Sequence, residues 1–210
     1  MGTWGDGLYD NDSALDLVAS MTEVGQTDDA ATLVARIGLG AWLDPTAITC
    51  AADALREAVA EQQDGIAALP AGTRASLEAL LADPEGCTRD GSRSEPVRAA
   101  LGGYCDGPRI DPLLRFSGAQ PVIEALAESA AVILDETLAP SSRNLYELAG
   151  GVAALGLVLE LAHAGLWRPA HERVAAWRAG FAAADQRTVE EREFWDVYAQ
   201  RVVQGLALLP

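Results

Sequence analysis

The chain has 210 residues, half of them hydrophobic and 22% charged, with a net charge of -16. That balance supplies a real apolar core and excludes a wholly disordered polypeptide. The excess of acid excludes direct binding to a phosphate backbone, which needs a basic face.

All 15 basic residues are Arg and none is Lys, which, beside abundant Ala and Gly, is read as the mark of a GC-rich coding sequence. The charge is uneven. Residues 1–70 hold twelve Asp and Glu against only Arg36 and Arg56, so most of the net negative charge lies in the first third. Such an asymmetry keeps a chain solvated and steers a cationic partner towards it. The opening Met1-Gly-Thr-Trp-Gly-Asp has neither a basic segment nor an apolar one, so no secretory leader is expected. The longest apolar run, Leu148 to Leu159, is bounded by Glu147 and Glu160. It falls short of the roughly 20 residues of a membrane span. Cys50, Cys87 and Cys105 form no C-x-x-C pair, which fits reduced thiols in the cytoplasm rather than a zinc cluster or redox dithiol.

Taken in chain order, the first eleven residues are too rich in Gly to start a helix. Asn11 or Asp12 caps a first helix carrying Leu15, Val18 and Met21. Asp28 or Asp29 caps a second, through Leu33, Val34, Ile37 and Trp42. Pro45 opens a third, where its missing amide costs nothing; its stripe is Ile48, Ala51 or Ala52, Leu55 and Val59, ended by Gly65 and Pro70. Thr73 caps a short fourth helix with Leu77, Leu80 and Leu81. Asp83 to Asp111 then gathers Pro, Gly and Ser and reads as a long loop or linker, with one or two helical turns at Pro96 to Leu101.

A further helix runs from Gln120 to Leu138, with Val122, Leu126, Ile133 and Leu134 inward. Ser141 or Ser142 caps the apolar helix Leu145 to Leu161, where Gly150, Gly151 and Gly156 permit close approach of a neighbour. This is the expected central helix, and Gly165 ends it. The next begins at Pro169 and presents Val174, Trp177 and Phe181. The last spans Thr188 to Leu208, with Trp195, Tyr198, Val202 and Leu206 on one face. No period-two alternation marks a strand. The expectation is an all-α bundle of eight or nine helices. It is organised as an N-terminal helical unit (residues 1–82), a Gly/Pro-rich segment (83–111) and a C-terminal helical unit (112–210).

No complete catalytic or metal set emerges, and no cofactor is expected. Asp10, Asp12 and Asp16 surround a helix start. Carboxylates there satisfy first-turn amides and the positive helix end; the alternative is a hard-cation site, although the spacing is not that of a calcium loop. Glu160 and His163 form one E-x-x-H, the i, i+3 pair used twice in di-iron bundles, but the pattern is not repeated here. His163, just before Gly165, is instead expected at the negative end of its helix.

The stretch from Trp4 to Asp16 carries the most distinctive pattern: Trp4, Gly5, Gly7, Tyr9, Asn11, Asp12, Ala14 and Asp16. It resembles the opening W-G-x-G-hydrophobic-aromatic-acidic-N-D-x-A-x-D of an uncharacterised bacterial family, domain-of-unknown-function family 4259. The likeness extends diffusely to about residue 80, where Trp42 to Val59 is similar to the family's Ala-rich helix. It implies no enzyme activity and no catalytic residue. The functional expectation is a non-enzymatic module that binds a basic protein, in the manner of an immunity or antitoxin protein. Asp6, Asp10, Asp12, Asp16, Asp28 and Asp29 are the partner-facing candidates. The alternative is a metal-dependent or small-molecule enzyme using Asp10, Asp12 and Asp16, or Glu160 and His163.

Overall fold

Asp29 ends the uncertainty over where its helix begins: its Oδ1 accepts the backbone amide of Thr32 at 2.8 Å, the bond an N-cap makes to the third helical residue. Helix α1 follows as Ala30–Leu43. The computed structural model describes residues 28–43, 45–84, 111–138, 145–184 and 202–209. Among these every regular element is a helix. After α1 come α2 (Pro45–Glu61), α3 (Gln63–Ala67), α4 (Ala71–Ala82), α5 (Asp111–Leu114), α6 (Gln120–Thr137), α7 (Leu145–His163) and α8 (His171–Ala184). A last helix, α9, spans 202–208. The all-α class expected from periodicity is the class observed. The expected first helix, the Pro96 to Leu101 turn, the caps at Ser141 or Ser142, Cys87, Cys105, Trp195 and Tyr198 lie outside the described residues. No described helix is long and apolar enough to cross a membrane.

The chain divides into two compact units. Of the described residues, one contains 28–43, 45–84 and 111–125; the other contains 126–138, 145–184 and 202–209. The division falls within α6.

In the first unit α1 is buried on nearly every side, with Leu33, Val34, Ile37 and Leu39 at 2% exposure or less. It packs on α2, α3 and α5. The contact with α5 is close because of Gly38: a Cβ there would stand 2.8 Å from that of Leu113. Helix α2 buries Ile48, Ala52 and Leu55, three positions of the stripe read from its spacing; the fourth, Val59, is half-buried. It ends at Glu61 rather than at Gly65, which sits inside α3 against Ala30. Thr73 is not the cap of α4. The helix is entered at Pro70, whose carbonyl accepts the amide of Arg74 at 3.1 Å. Thr73 lies two residues inside, buried, and its hydroxyl donates to the carbonyl of Pro112 at 3.0 Å. A polar residue that reads as a cap is therefore spent on tying α4 to α5.

In the second unit α7 is the buried helix, as its uninterrupted apolar run suggested. Leu155, Leu157, Val158, Leu159 and Leu161 are all fully buried, and each such side chain removed from water contributes about 1.5–3 kcal/mol. Gly151 does admit a neighbour, Thr137 of α6. Gly165, at φ +66, ends the helix as expected. Leu166 donates to the carbonyl of Leu161 at 2.9 Å and Gly165 to that of Ala162 at 3.1 Å, the paired bonds of a left-handed C-terminal cap. Helix α6 is rotated from its expected register. Ile123, Leu126, Ala127, Ala130, Ala131 and Leu134 face inward, while Val122 and Ile133 are half-buried. Small Ala side chains form much of its inner face, so a reading weighted to large residues misplaced the stripe.

Helix α8 buries Val174, Trp177 and Phe181. Gly180 passes so near the Leu138 carbonyl oxygen that a Cβ would overlap it. Arg173 joins α8 to α6. It donates to Glu128 at 2.8 and 2.9 Å and to Asp135 at 3.1 Å through Nε, and lies 5.9 Å from the Trp177 ring centroid. The indole of Trp177 donates to Asp135 Oδ1 at 2.7 Å. Partial burial acts to raise the Asp135 pKa; the hydrogen bonds from Arg173 and Trp177, with the cation's charge, outweigh it and leave the group below its ordinary value. The hydrogen bond to Asp135 is the main reason that the Arg173 pKa is raised. Helix α9 is held by donors to its terminal carbonyls. Arg178 Nη2 donates to Leu206 at 2.8 Å and Leu209 at 3.3 Å, and His163 Nε2–H donates to Leu208 at 2.9 Å.

Two outcomes follow from these contacts. Gly180→Ala should destabilise the protein by about 1–3 kcal/mol in urea unfolding, because a backbone oxygen cannot yield as a side chain does. Asp135→Asn should cost about 0.5–1 kcal/mol at neutral pH, since it removes one of the two counter-charges of Arg173, the other being Glu128, at a solvent-screened position. Because the folded pKa of Asp135 is lowered, its contribution is complete above the ordinary carboxylate value of about 3.9 and is lost as pH falls through the folded value. The stability gap between wild type and D135N should therefore narrow on acidification.

Candidate functional site

The solvent side of α2 is dictated by its periodicity. With Ile48, Ala52 and Leu55 inward, a 100° turn per residue places Asp53, Glu57 and Glu61 on the opposite face. All three are exposed, as is Asp64 on α3. Asp53 pairs with Arg56 Nη1 at 2.5 Å. Among the described residues no cation pairs with Glu57, Glu61 or Asp64. The start of α1 meets the same corner, because Gln62 Nε2 donates to the Asp28 carbonyl at 3.1 Å and Gly65 lies against Ala30.

Of the partner-facing candidates, Asp6, Asp10, Asp12 and Asp16 lie outside the described residues, and so does the alternative Asp10, Asp12 and Asp16 cation site. Asp28 and Asp29 are described, and each has local work. Asp28 forms an ion pair with Arg36 Nε at 3.2 Å. Asp29 is the cap of α1, and the Thr32 amide, followed by its hydroxyl, holds the Asp29 carboxyl below its ordinary pKa. Asp29 nevertheless stays exposed, so its charge adds to the acidic corner formed by Glu61 and Asp64. The other metal candidates separate in environment: Glu160 is 2% exposed in α7, whereas His163 is at the surface with its Nε2 on the Leu208 carbonyl. Among the described residues no three His, Cys, Asp or Glu side chains are grouped to hold a metal ion.

Beside the acidic face lies a groove of about 380 Å³ between α2, α3 and α4, with Val59, Ile66, Leu77 and Leu81 as its apolar wall. Arg56 and Arg74 border it. Arg56 is fixed in place by Nε and Nη2, which donate to the Leu81 carbonyl at 3.1 and 2.5 Å, satisfying an acceptor left over at the end of α4. Arg74 Nε is buried and has no hydrogen-bond partner. Sequence reasoning did not find this groove. Its signal was present, since Arg74 stands three before Leu77 and seven before Leu81, a cation on the edge of an apolar stripe. The pairing with Arg56, on another helix, had no local trace.

No protein-family model, curated protein or solved structure matches the chain.

The dual position of Asp29 can be separated by substitution. Asp29→Ala should lose the cap and about 0.5–2 kcal/mol of stability, measured by chemical denaturation, whereas Asp29→Asn should retain most of it because Asn caps equally well.

Proposed function

We propose that this chain is a non-enzymatic protein-binding module of the cytoplasm that docks a basic partner through its acidic face, as immunity and antitoxin proteins do. The observation that carries the reading is the row Asp53, Glu57, Glu61 and Asp64, exposed along α2 and α3 and joined at its end by Asp29. Like charges four apart on a helix oppose each other by about 0.2–0.5 kcal/mol per pair. Only Asp53 is relieved, by Arg56. A cationic partner removes that repulsion on binding and is drawn in by the same field, which gives a fast, salt-sensitive encounter. The resemblance of Trp4 to Asp16 to an uncharacterised bacterial family is compatible with this role and adds no activity to it.

The test is affinity capture from the cell of origin, with the full chain and its D53N/E57Q/E61Q/D64N variant as baits. At about 50 mM salt the wild type should retain a basic protein, and release it at about 500 mM, where screening shortens to a few ångströms. The variant, with unchanged circular dichroism, should retain none. Recovery of no partner at either salt, or equal recovery by the variant, would overturn the proposal.

A further inference from the structure

We infer that the groove between α2, α3 and α4 is a binding site for a small amphipathic monoanion, a carboxylate with an apolar chain. The inference rests on the groove and on Arg74, and is independent of the acidic face.

Size and lining come first. The groove, about 380 Å³, lies in the range of small-molecule sites, about 300–1,000 Å³. Its wall of Val59, Ile66, Leu77 and Leu81 suits an apolar chain and offers that chain no hydrogen bond. Charge then selects the head. Arg74 Nε is buried without an acceptor, and a buried donor left unsatisfied is costly. Among the described residues no carboxylate is within ion-pair distance of Arg74, and Glu78, one turn along on the same helix, is not an exception. An anionic head in the groove would pair with the Arg74 guanidinium, a charge-assisted interaction that is stronger than a neutral hydrogen bond.

The valence of the anion follows from the other charges on the groove. Arg56 is balanced by Asp53, and its Nε and Nη2 are already committed to the Leu81 carbonyl. Glu78 lines the groove as well and repels any anion. One free positive charge opposed by one nearby negative charge favours a monoanion over a phosphate dianion. The remaining polar lining residue, Gln63, is neutral and carries no preference of sign. In a chain of net charge -16, an arginine without an ion-pair partner beside an apolar wall is a place where an anionic amphiphile meets attraction.

Sodium decanoate is a suitable probe, titrated into the full chain by calorimetry, with decanol and inorganic phosphate as the two halves of the ligand offered separately. Decanoate should bind once per chain with a Kd of about 0.1–1 mM. Decanol and phosphate should each bind at least about tenfold more weakly. Arg74→Gln should weaken decanoate about tenfold and leave decanol unchanged, while Glu78→Gln should tighten decanoate. If R74Q folds poorly, the E78Q result and the decanol comparison decide. The inference fails if decanoate shows no saturable binding, if decanol binds as tightly, or if both variants bind decanoate like the wild type.

Discussion

Helices in this protein come together where one of them has no side chain in the way, and the rest of the structure depends on that closeness. Gly38 lets α1 lie against Leu113, Gly151 lets α7 meet Thr137, and Gly180 lets α8 pass the Leu138 carbonyl. Each glycine weakens its own helix by roughly 1 kcal/mol against Ala. The tertiary contact offsets that cost, since dispersion falls off sharply with any gap between surfaces. It also explains why the inner face of α6 is so rich in Ala: residues 127, 130 and 131 are fully buried, and larger groups there would hold the neighbouring helices apart.

The same feature decides how far the fold was legible in the sequence. Where large residues mark the buried side, as with Ile48 and Leu55 on α2 or Val174, Trp177 and Phe181 on α8, spacing alone gave the right face. The C-terminal cap at Gly165 was legible because only a left-handed residue ends a helix in that way. On α6 the stripe was misread, because Ala counts for little in an apolar pattern yet fills a tight interface. Thr73 was misread for a different reason. A hydroxyl near a helix start is a good local cap, and nothing local reveals that the Pro112 carbonyl, distant in sequence, is a competing acceptor.

The proposed binding role was legible only as charge. The acidity of the first third led to Asp28 and Asp29, which are described and also hold local structure. It did not single out Asp53, Glu57, Glu61 and Asp64, because a solvated face and a docking face have the same periodicity. The groove with Arg56 and Arg74 is a product of three helices meeting. A site of that kind depends on contacts between residues far apart in the chain, whereas a cap or a heptad is written locally.

The hold on α9 is of another sort. Arg178 and His163 engage the carbonyls of Leu206, Leu208 and Leu209, and a carbonyl is the same whichever residue bears it. The two grasping side chains are specific, while the segment they grasp is recognised by its backbone. Residues 207 and 208 are thus at liberty to vary in identity provided that the helix persists and Val202, Leu206 and Leu209, which are buried, stay apolar. Arg178 has no such latitude, since neither a shorter cation nor a neutral side chain would span two carbonyls at once. Sequence drift at this end of the fold should be lopsided, with the clasp fixed and change confined to positions 207 and 208 of the clasped segment.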